Sequence, residues 1–572
     1  MTLKNKEIDS RLVAILLGIT STLSCASEYI APPMVNIPQG KFMMGSNSGD
    51  ASSKPMHEVS VESFQMGKYP VTVAEFRKFI EDTGFEIASD CKDKLDRNWL
   101  SSPRDIGTAR WDKNRYLKSE YQPVNCMNYR EAQAYADWIA GKTGVPYRLA
   151  TEQEFEYAMK ANTTSRYFWG DDLSMTQACE YGNFADQSGE YFPNEQFGAS
   201  YVGFVGYANC DDGEPYLSIV GLYRPNPFGL YDMTGNISQI IGSCYYEGYA
   251  KRSIREMDLD QCEYISHRGT SWHFPPQPHA DRGRFKKEGW SPGGLMGFRL
   301  AADGHRKQVH DSTIKFEMAL AEAQAKRLSN RVDIPKAPQK VQLVAVEDSL
   351  YKLRWQPVND PRVIGYEVYQ SKSPYSYMLS GYYKEHYKKI KDVDSNVDTI
   401  NLQLDADEAS FLLVTKVKGL TSLPSETAII RQEKQLKIPG RLDMQESTQL
   451  ENVRLVYRKA TKDKPELYYM SGFNHLLKQP TLSARFNVNV ATSGWYTLHY
   501  KGTSSQNGVF FKVWQGNRLA GEVEFNEDVD DTSSNRHRVY LVAGESPLQI
   551  TVMREGFDYW ALGWITFTPL ES

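Results

Sequence analysis

The stretch NPFGLYDMTGN, residues 226–236, is dense in Asn, Pro, Gly and Asp. That is loop chemistry rather than the pattern of a helix or strand. Working outward, the flanking sequence supplies a few well-marked helix starts. Thr72 is followed three positions on by Glu75, then by Phe76, Phe79 and Ile80. Asn128 is followed by Glu131, then Ala132, Tyr135, Trp138 and Ile139. Thr151 is followed by Glu154, then Phe155 and Ala158. In each, a side-chain oxygen caps a free N–H while the Glu reaches back, and apolar residues recur at helical spacing. Residues 30–303 therefore read as one loop-rich α+β domain with few helices.

The whole chain has 572 residues, enough for about three to five domains. Hydrophobic residues are 41% and charged residues 24%, an ordinary globular balance that excludes a disordered or fibrous chain. Lys and Arg number 66 against 71 Asp and Glu. This lacks the basic excess of a nucleic-acid binder. Aromatic residues reach 12%, which suits β-rich domains and ligand-facing surfaces.

Lys4, Lys6 and Arg11 precede an apolar run over 12–23. The run has the length of a signal-peptide core and is short for a membrane span. It ends in Leu23-Ser24-Cys25-Ala26, which resembles the lipobox of bacterial lipoproteins, with Thr22 where Leu is commoner. Residues 1–25 are then a lipoprotein-type signal segment, and Cys25 is the lipidated residue. The alternative is cleavage after Ala26, since Ser24 and Ala26 satisfy a small-x-small rule. Both imply export. Ala26 is not the Asp of inner-membrane retention, so the expected location is the outer membrane or surface, with a periplasmic or secreted protein as the alternative. Six further cysteines (91, 126, 179, 210, 244 and 262) all lie in the first half. An oxidising compartment allows up to three disulfides among 15 connectivities. Their wide spacing does not suit a zinc site.

Residues 306–331 form an Ala-, Glu- and Lys-rich linker helix. Pro335 and Pro338 follow it. Residues 336–432 then alternate as short strands, VQLVAV, YKLRWQPV, GYEVYQS, TINLQL and SFLLVTKVKG. With Trp355 and Tyr366 they resemble a fibronectin type III domain, whose default role is a spacer or docking module. Residues 440–572 give a larger set, ARFNVNV, WYTLHYKG, VFFKVWQGN, HRVYLVAG, LQITVMR and WITFTP. This order resembles galactose-binding-like jelly rolls of the carbohydrate-binding-module type.

The first domain resembles the formylglycine-generating enzyme family, or sulfatase-modifying factor domains. The residues that carry the likeness are MVNIPQGKFMMGS, HEVSVESFQMGKYPVTVAEFRKFIEDTG, PVNCMNYREAQAYADWI, YRLATEQEFEYAMKA, the 226–236 stretch, RGTSW and GFRLA. The resemblance implies a variant C-type-lectin-like fold. The chain is thus expected to be multidomain, a C-type-lectin-like formylglycine-enzyme fold followed by two all-β sandwiches. Enzyme members oxidise a sulfatase Cys through two cysteines that bind copper. An ungapped alignment puts Phe274 and His279 at those two positions, and no Cys follows Cys262. Soft thiolate ligands for Cu(I) are therefore missing, and formylglycine-generating activity is not expected. The family's active-site Ser is kept as Ser271. The family's GNVWEW calcium segment reads GNISQI, with Asn236 kept and Gln239 replacing a Glu. Asn183 matches an Asn of the other family calcium site, and Asp186 is nearby. Structural calcium at Asn183, Asp186 and Asn236 is the one cofactor implied.

His267, His273 and His279 recur every six residues, and Arg268, Arg282, Arg284 and Arg299 fall in the same part of the chain. Imidazoles can ligate metals and guanidinium groups can bind oxyanions, but loop packing and buried ion pairs are the favoured reading of both sets, above all of Arg299. In the last domain Tyr559, Trp560 and Trp514 are candidate sugar-stacking rings, with Asp558 and Asn517 as polar companions. Trp495, Trp564 and Phe567 lie in strong strand patterns and are assigned to the core. No phosphate loop, GxSxG elbow or HExxH motif is present.

The sequence therefore leads to an exported, lipid-anchored cell-envelope protein whose first domain is noncatalytic. Its partner would be a polysaccharide or an envelope protein, with the membrane reached through the lipid and no nucleic acid involved. One alternative is a divergent enzyme acting on a secreted peptide or metabolite through Ser271, His273, His279 and Arg282. Another is a structural subunit of an envelope assembly.

Overall fold

The computed structural model describes residues 29–47, 51–87, 91–92, 108–114, 116–172, 175–197, 208, 210–249, 259–274, 276, 285–287, 294–304, 309–347, 349–371, 383–385, 387–404, 409–430, 435–451, 454–458, 467–473, 482–504, 509–524, 537–554 and 559–570. Cys25, His279, Arg282, Arg284 and Asp558 lie outside them, as do the side chains of Tyr559 and Trp560.

All three capping boxes form. Helix α1 (Val73–Thr83) is capped by Thr72 and Glu75, α2 (Tyr129–Thr143) by Asn128 and Glu131, and α3 (Glu152–Lys160) by Thr151 and Glu154. Each satisfies two N–H groups that a helix start leaves free. The apolar faces of α1 and α2 meet in one aromatic core. Phe76 stacks on Tyr135 at 5.8 Å and meets Phe298 and Trp111 edge-on. Each such ring contributes about 1.5–3 kcal/mol through burial. A fourth helix, α4 (Gln187–Phe197), carries Pro193 within it.

Two four-stranded sheets hold these helices. One runs Met34–Ile37, Phe64–Gly67, Leu300–Asp303, Tyr147–Leu149 in spatial order. The other runs Phe285–Lys287, Ile265–Arg268, Ser238–Cys244, Met296–Phe298. Three disulfides, Cys91–Cys126, Cys179–Cys210 and Cys244–Cys262, tie the loops between them. Closing a loop of a few tens of residues typically adds about 2–4 kcal/mol.

Helix α5 (Asp311–Ser329) packs on this first domain. Phe316 and Leu320 are buried with Ile219 and Val220. Gln324 donates to the Val220 carbonyl at 2.7 Å, and Lys68 pairs with Glu317 at 2.7 Å. Beyond it stand two β-sandwiches. The smaller buries Trp355 edge-on against Tyr366 at 5.5 Å, and the Tyr366 hydroxyl accepts from the Val358 N–H. It touches α4, where Lys384 pairs with Glu195 at 2.9 Å and the Tyr191 hydroxyl accepts from the Thr421 N–H. The larger packs two six-stranded sheets around Phe486, Val488, Leu498, Phe511, Ile550 and Phe567. Alternation puts those residues inward and their neighbours outward.

Candidate functional site

The 226–236 stretch is a self-bonded loop. The Asn226 side chain accepts from the N–H groups of Phe228 and Leu230, both at 3.1 Å, and donates to the Ala158 carbonyl. Gly235 has φ of 81°, and a Cβ there would lie 2.4 Å from the Asn183 carbonyl oxygen. Glycine is thus required where the loop meets the next site.

Asn236 and Gln239 are fully used by the protein. Asn236 accepts from the Ser218 N–H and donates to the Ser218 carbonyl and to Asp232. Gln239 donates to the Asp232 carbonyl at 2.8 Å and accepts from Arg299 Nε at 2.8 Å. Arg299 also donates to the carbonyls of Gly67, Tyr231 and Asp232. A guanidinium holds the oxygens of this corner together, and the side-chain oxygens of Asn236 and Gln239 each accept a protein hydrogen bond.

Asn183 and Asp186 stand differently, and Asp212 joins them. All three are buried. Asn183 donates to the Tyr216 carbonyl at 2.6 Å, while its Oδ1 has no hydrogen-bond partner among the described residues. Asp186 accepts from the N–H groups of Gly189 and Asp212, and Asp212 from those of Glu214 and Phe184. Burial pushes Asp186 up to about 8 and Asp212 well above the usual carboxylate range. Two neighbouring buried carboxylates, and the unpartnered amide oxygen of Asn183, are the oxygen donors a hard cation takes. Cys179 Sγ lies within 4.8 Å of the carboxylate oxygens, but the Cys179–Cys210 disulfide takes it out of the ligand set. Their donor chemistry suits calcium, which Asn183, Asp186 and Asp212 would hold. Sequence reasoning missed Asp212. Its signal was an acidic pair directly after a cysteine, Cys210-Asp211-Asp212.

The RGTSW segment is packed. Arg268 is 1% exposed and is gripped by Glu156, also buried, with Glu152 at 3.7 Å. Ser271 is fully buried, and its Oγ has no hydrogen-bond partner among the described residues. Trp272 lies 5.3 Å from Tyr116 and 5.5 Å from Tyr216. His273 is buried edge-on between Trp272 and Phe274. His267 instead bonds Ser238 Oγ through Nδ1 at 2.8 Å, so these two imidazoles have separate surroundings. Phe274 packs against the Trp272 cluster, and its carbonyl accepts from the Ala185 N–H. A phenyl ring offers no lone pair. The residues at this position do not fit copper-thiolate chemistry, and no step can be written through it.

In the last sandwich the candidates do not converge on one spot. Trp514 is half-buried and donates from Nε1 to Thr551 Oγ1 at 2.9 Å. Tyr559 and Trp560 start the strand Tyr559–Pro569, opposite Phe473 and Gly472. Asn517 is exposed in the turn between Val509–Gln515 and Arg518–Glu524. That turn lies beside an exposed aromatic pair, Trp495 and Tyr540. Trp495, assigned to the core, is 53% exposed. It is directly across from Tyr540, 37% exposed, with ring centres 5.5 Å apart. Arg518 sits 5.6 Å from the Tyr540 ring and donates to the Tyr540 carbonyl and to Gln515 Oε1. The cause is parity. Tyr496, Leu498 and Tyr500 point inward, so Trp495 must point out. Trp560 pairs with Ser504 and Pro569 with Tyr496, so the two aromatic regions are about 30 Å apart along one strand at roughly 3.3 Å per residue.

Comparison with known proteins adds four findings. Residues 21–304 match the model of the sulfatase-modifying factor enzyme 1-like domain. The chain is 29% identical over 235 residues to the formylglycine-generating enzyme of Mycobacterium tuberculosis, covering 36% of this chain and 71% of that one. It is 30% identical over 246 residues to the serine/threonine-protein kinase pkn1 of Chlamydia caviae, covering 42% of this chain and 33% of that protein. Among solved structures, the C-terminal CBM6 of LamC from Zobellia galactanivorans aligns at 15% identity with a TM-score of 0.18, over 23% of this chain and 98% of that one.

Proposed function

We propose that this chain, whose residues 21–304 are a sulfatase-modifying factor enzyme 1-like domain, is a noncatalytic glycan-binding protein. We place it in the cell envelope, exported by its N-terminal segment and anchored through lipidated Cys25. The observation that carries the binding reading is the exposed Trp495–Tyr540 pair with Arg518 and Asn517 beside it. Flat rings left in water cost free energy unless something covers them. Sugar C–H faces stack on such rings while a guanidinium and an amide bond the hydroxyls. The noncatalytic reading rests on Phe274 at a family cysteine position and on the buried, ring-packed surroundings of Ser271 and His273.

A polysaccharide-binding screen on the full chain tests the assignment, run beside Trp495→Ala. Wild type should retain on at least one β-glucan or other neutral polysaccharide. The exposed Trp495→Ala change should weaken that retention about tenfold or more with no change in thermal midpoint. Equal retention of both proteins would remove the aromatic pair from the function. Retention of neither would leave the envelope-protein partner as the reading to pursue.

A further inference from the structure

A cavity of about 660 Å³ lies between the hairpin Gly40–Met44/His57–Val61 and the C-terminal end of α3. That volume suits a small ligand. Lys41, Lys160 and Arg166 line it, with Glu58 as the one carboxylate among the described lining residues. Two of the three cations are occupied. Lys41 pairs with Glu58 at 3.0 Å. Lys160 pairs with Glu156 at 2.9 Å, donates to the Met43 carbonyl and lies over the Phe42 ring. Arg166 differs: it lies 5.9 Å from the Tyr167 ring centre, but its Nε and Nη2, shielded from solvent, have no hydrogen-bond partner among the described residues. Its main-chain N–H is the group that reaches a carboxylate, Asp171, at 2.7 Å. Elsewhere in the domain Arg148 holds Glu154 and Asp303, and Arg268, whose Nε is also unpartnered, still holds Glu156 through Nη2; Arg166 has no such carboxylate among the described residues.

A charged group taken out of water without an acceptor is costly. The two unpartnered nitrogens, Nε and Nη2, form the edge of the fork that grips a carboxylate or sulfate with two parallel bonds. The geometry points to this cavity as a binding site for a small ligand bearing a carboxylate or sulfate ester, with Arg166 as the anion contact. Lys41 and Lys160 supply a positive field at the mouth, and Phe42 supplies an apolar wall. This site is in the first domain and does not depend on the aromatic pair of the last sandwich.

Isothermal titration of the full chain at low ionic strength tests it with three probes: D-glucuronate, D-glucose 6-sulfate and neutral D-glucose. At least one of the charged sugars should bind and glucose should not, and the two charged probes tell carboxylate from sulfate. Arg166→Gln should weaken that binding about tenfold or more. Because it removes an uncompensated charge, it should not lower the thermal midpoint of the unliganded protein. Lys41→Glu, at an exposed position that leaves the fold intact, should weaken binding several-fold. Trp495→Ala should leave it unchanged, which separates this site from the glycan platform. Glucose binding as well as the charged sugars, no binding of any probe, or unchanged affinity in Arg166→Gln would each overturn the assignment.

Discussion

The carboxylate of Glu75 closes the first turn of α1 by accepting from both the N–H and the hydroxyl of Thr72. It is also fully buried, and burial pushes it up from 4.5 to about 7 despite those bonds. The folded chain therefore keeps a proton there that the unfolded chain releases. The resulting stability is complete below pH 4.5 and is lost as pH rises through about 7. Its ceiling is about 3 kcal/mol at 1.36 kcal/mol per pH unit. Glu75→Gln keeps an oxygen for Thr72 and cannot ionise. Its thermal midpoint should change less than that of wild type between about pH 5 and 8. Parallel curves would show that the proton is not held at Glu75. Residue-scale features of this kind were readable, because a capping box is local in sequence. Trp495 was misread for the opposite reason. Its strand looked strong, and the parity that turns its ring outward depends on which neighbours face the core.

At the scale of elements, α5 behaves as part of the first domain's packing. Beyond its apolar contacts, Arg327 pairs with Glu214 and donates to the Gly213 carbonyl, and Arg331 donates to the Asp211 carbonyl. The helix end thus clasps the 211–214 loop that carries Asp212. Phe316→Ala should cost about 3–5 kcal/mol, and the loss should appear in the first domain. Hydrogen exchange at the main-chain amides of 212–221 should speed up, while that of the strands Val363–Ser371 and Ala409–Val417 stays as in wild type. Unchanged exchange at 212–221 would show that α5 is only a connector. The composition of α5 announced a helix. What it could not announce was its docking surface, since Ile219 and Val220 lie about a hundred residues upstream. The disulfide partners were hidden in the same way. The even count of cysteines allowed three bonds, but spacing alone cannot choose among connectivities fixed by long-range loop approach.

For the whole molecule, the sequence carried the order of folds because each left a long, repeated pattern: capped helices with loop-rich joins, then two runs of alternating strands. The site was less legible. Asn183 and Asp186 could be named, yet Asp212 reaches them through long-range contacts, the Cys179–Cys210 bond and the main-chain bonds that join 208–212 to 184–187. The proposed anchoring is itself a whole-molecule property. Expressed in a Gram-negative host, the wild-type chain should partition with membranes and incorporate labelled palmitate. Cys25→Ser should release it to the soluble fraction and abolish the label. Labelled Cys25→Ser protein would refute lipidation at that residue.

The sheet that opens the first domain also closes it. Met66 pairs on one side with Val35 and on the other with Ala301, 235 positions further along. A ribosome adding about 5–20 residues per second needs roughly 10–50 s to deliver that second neighbour. Throughout that interval one edge of the strand Phe64–Gly67 lacks its final mate. A nascent chain in this condition cannot complete its first sheet until residue 301 has emerged, so folding of the first domain finishes late in its synthesis.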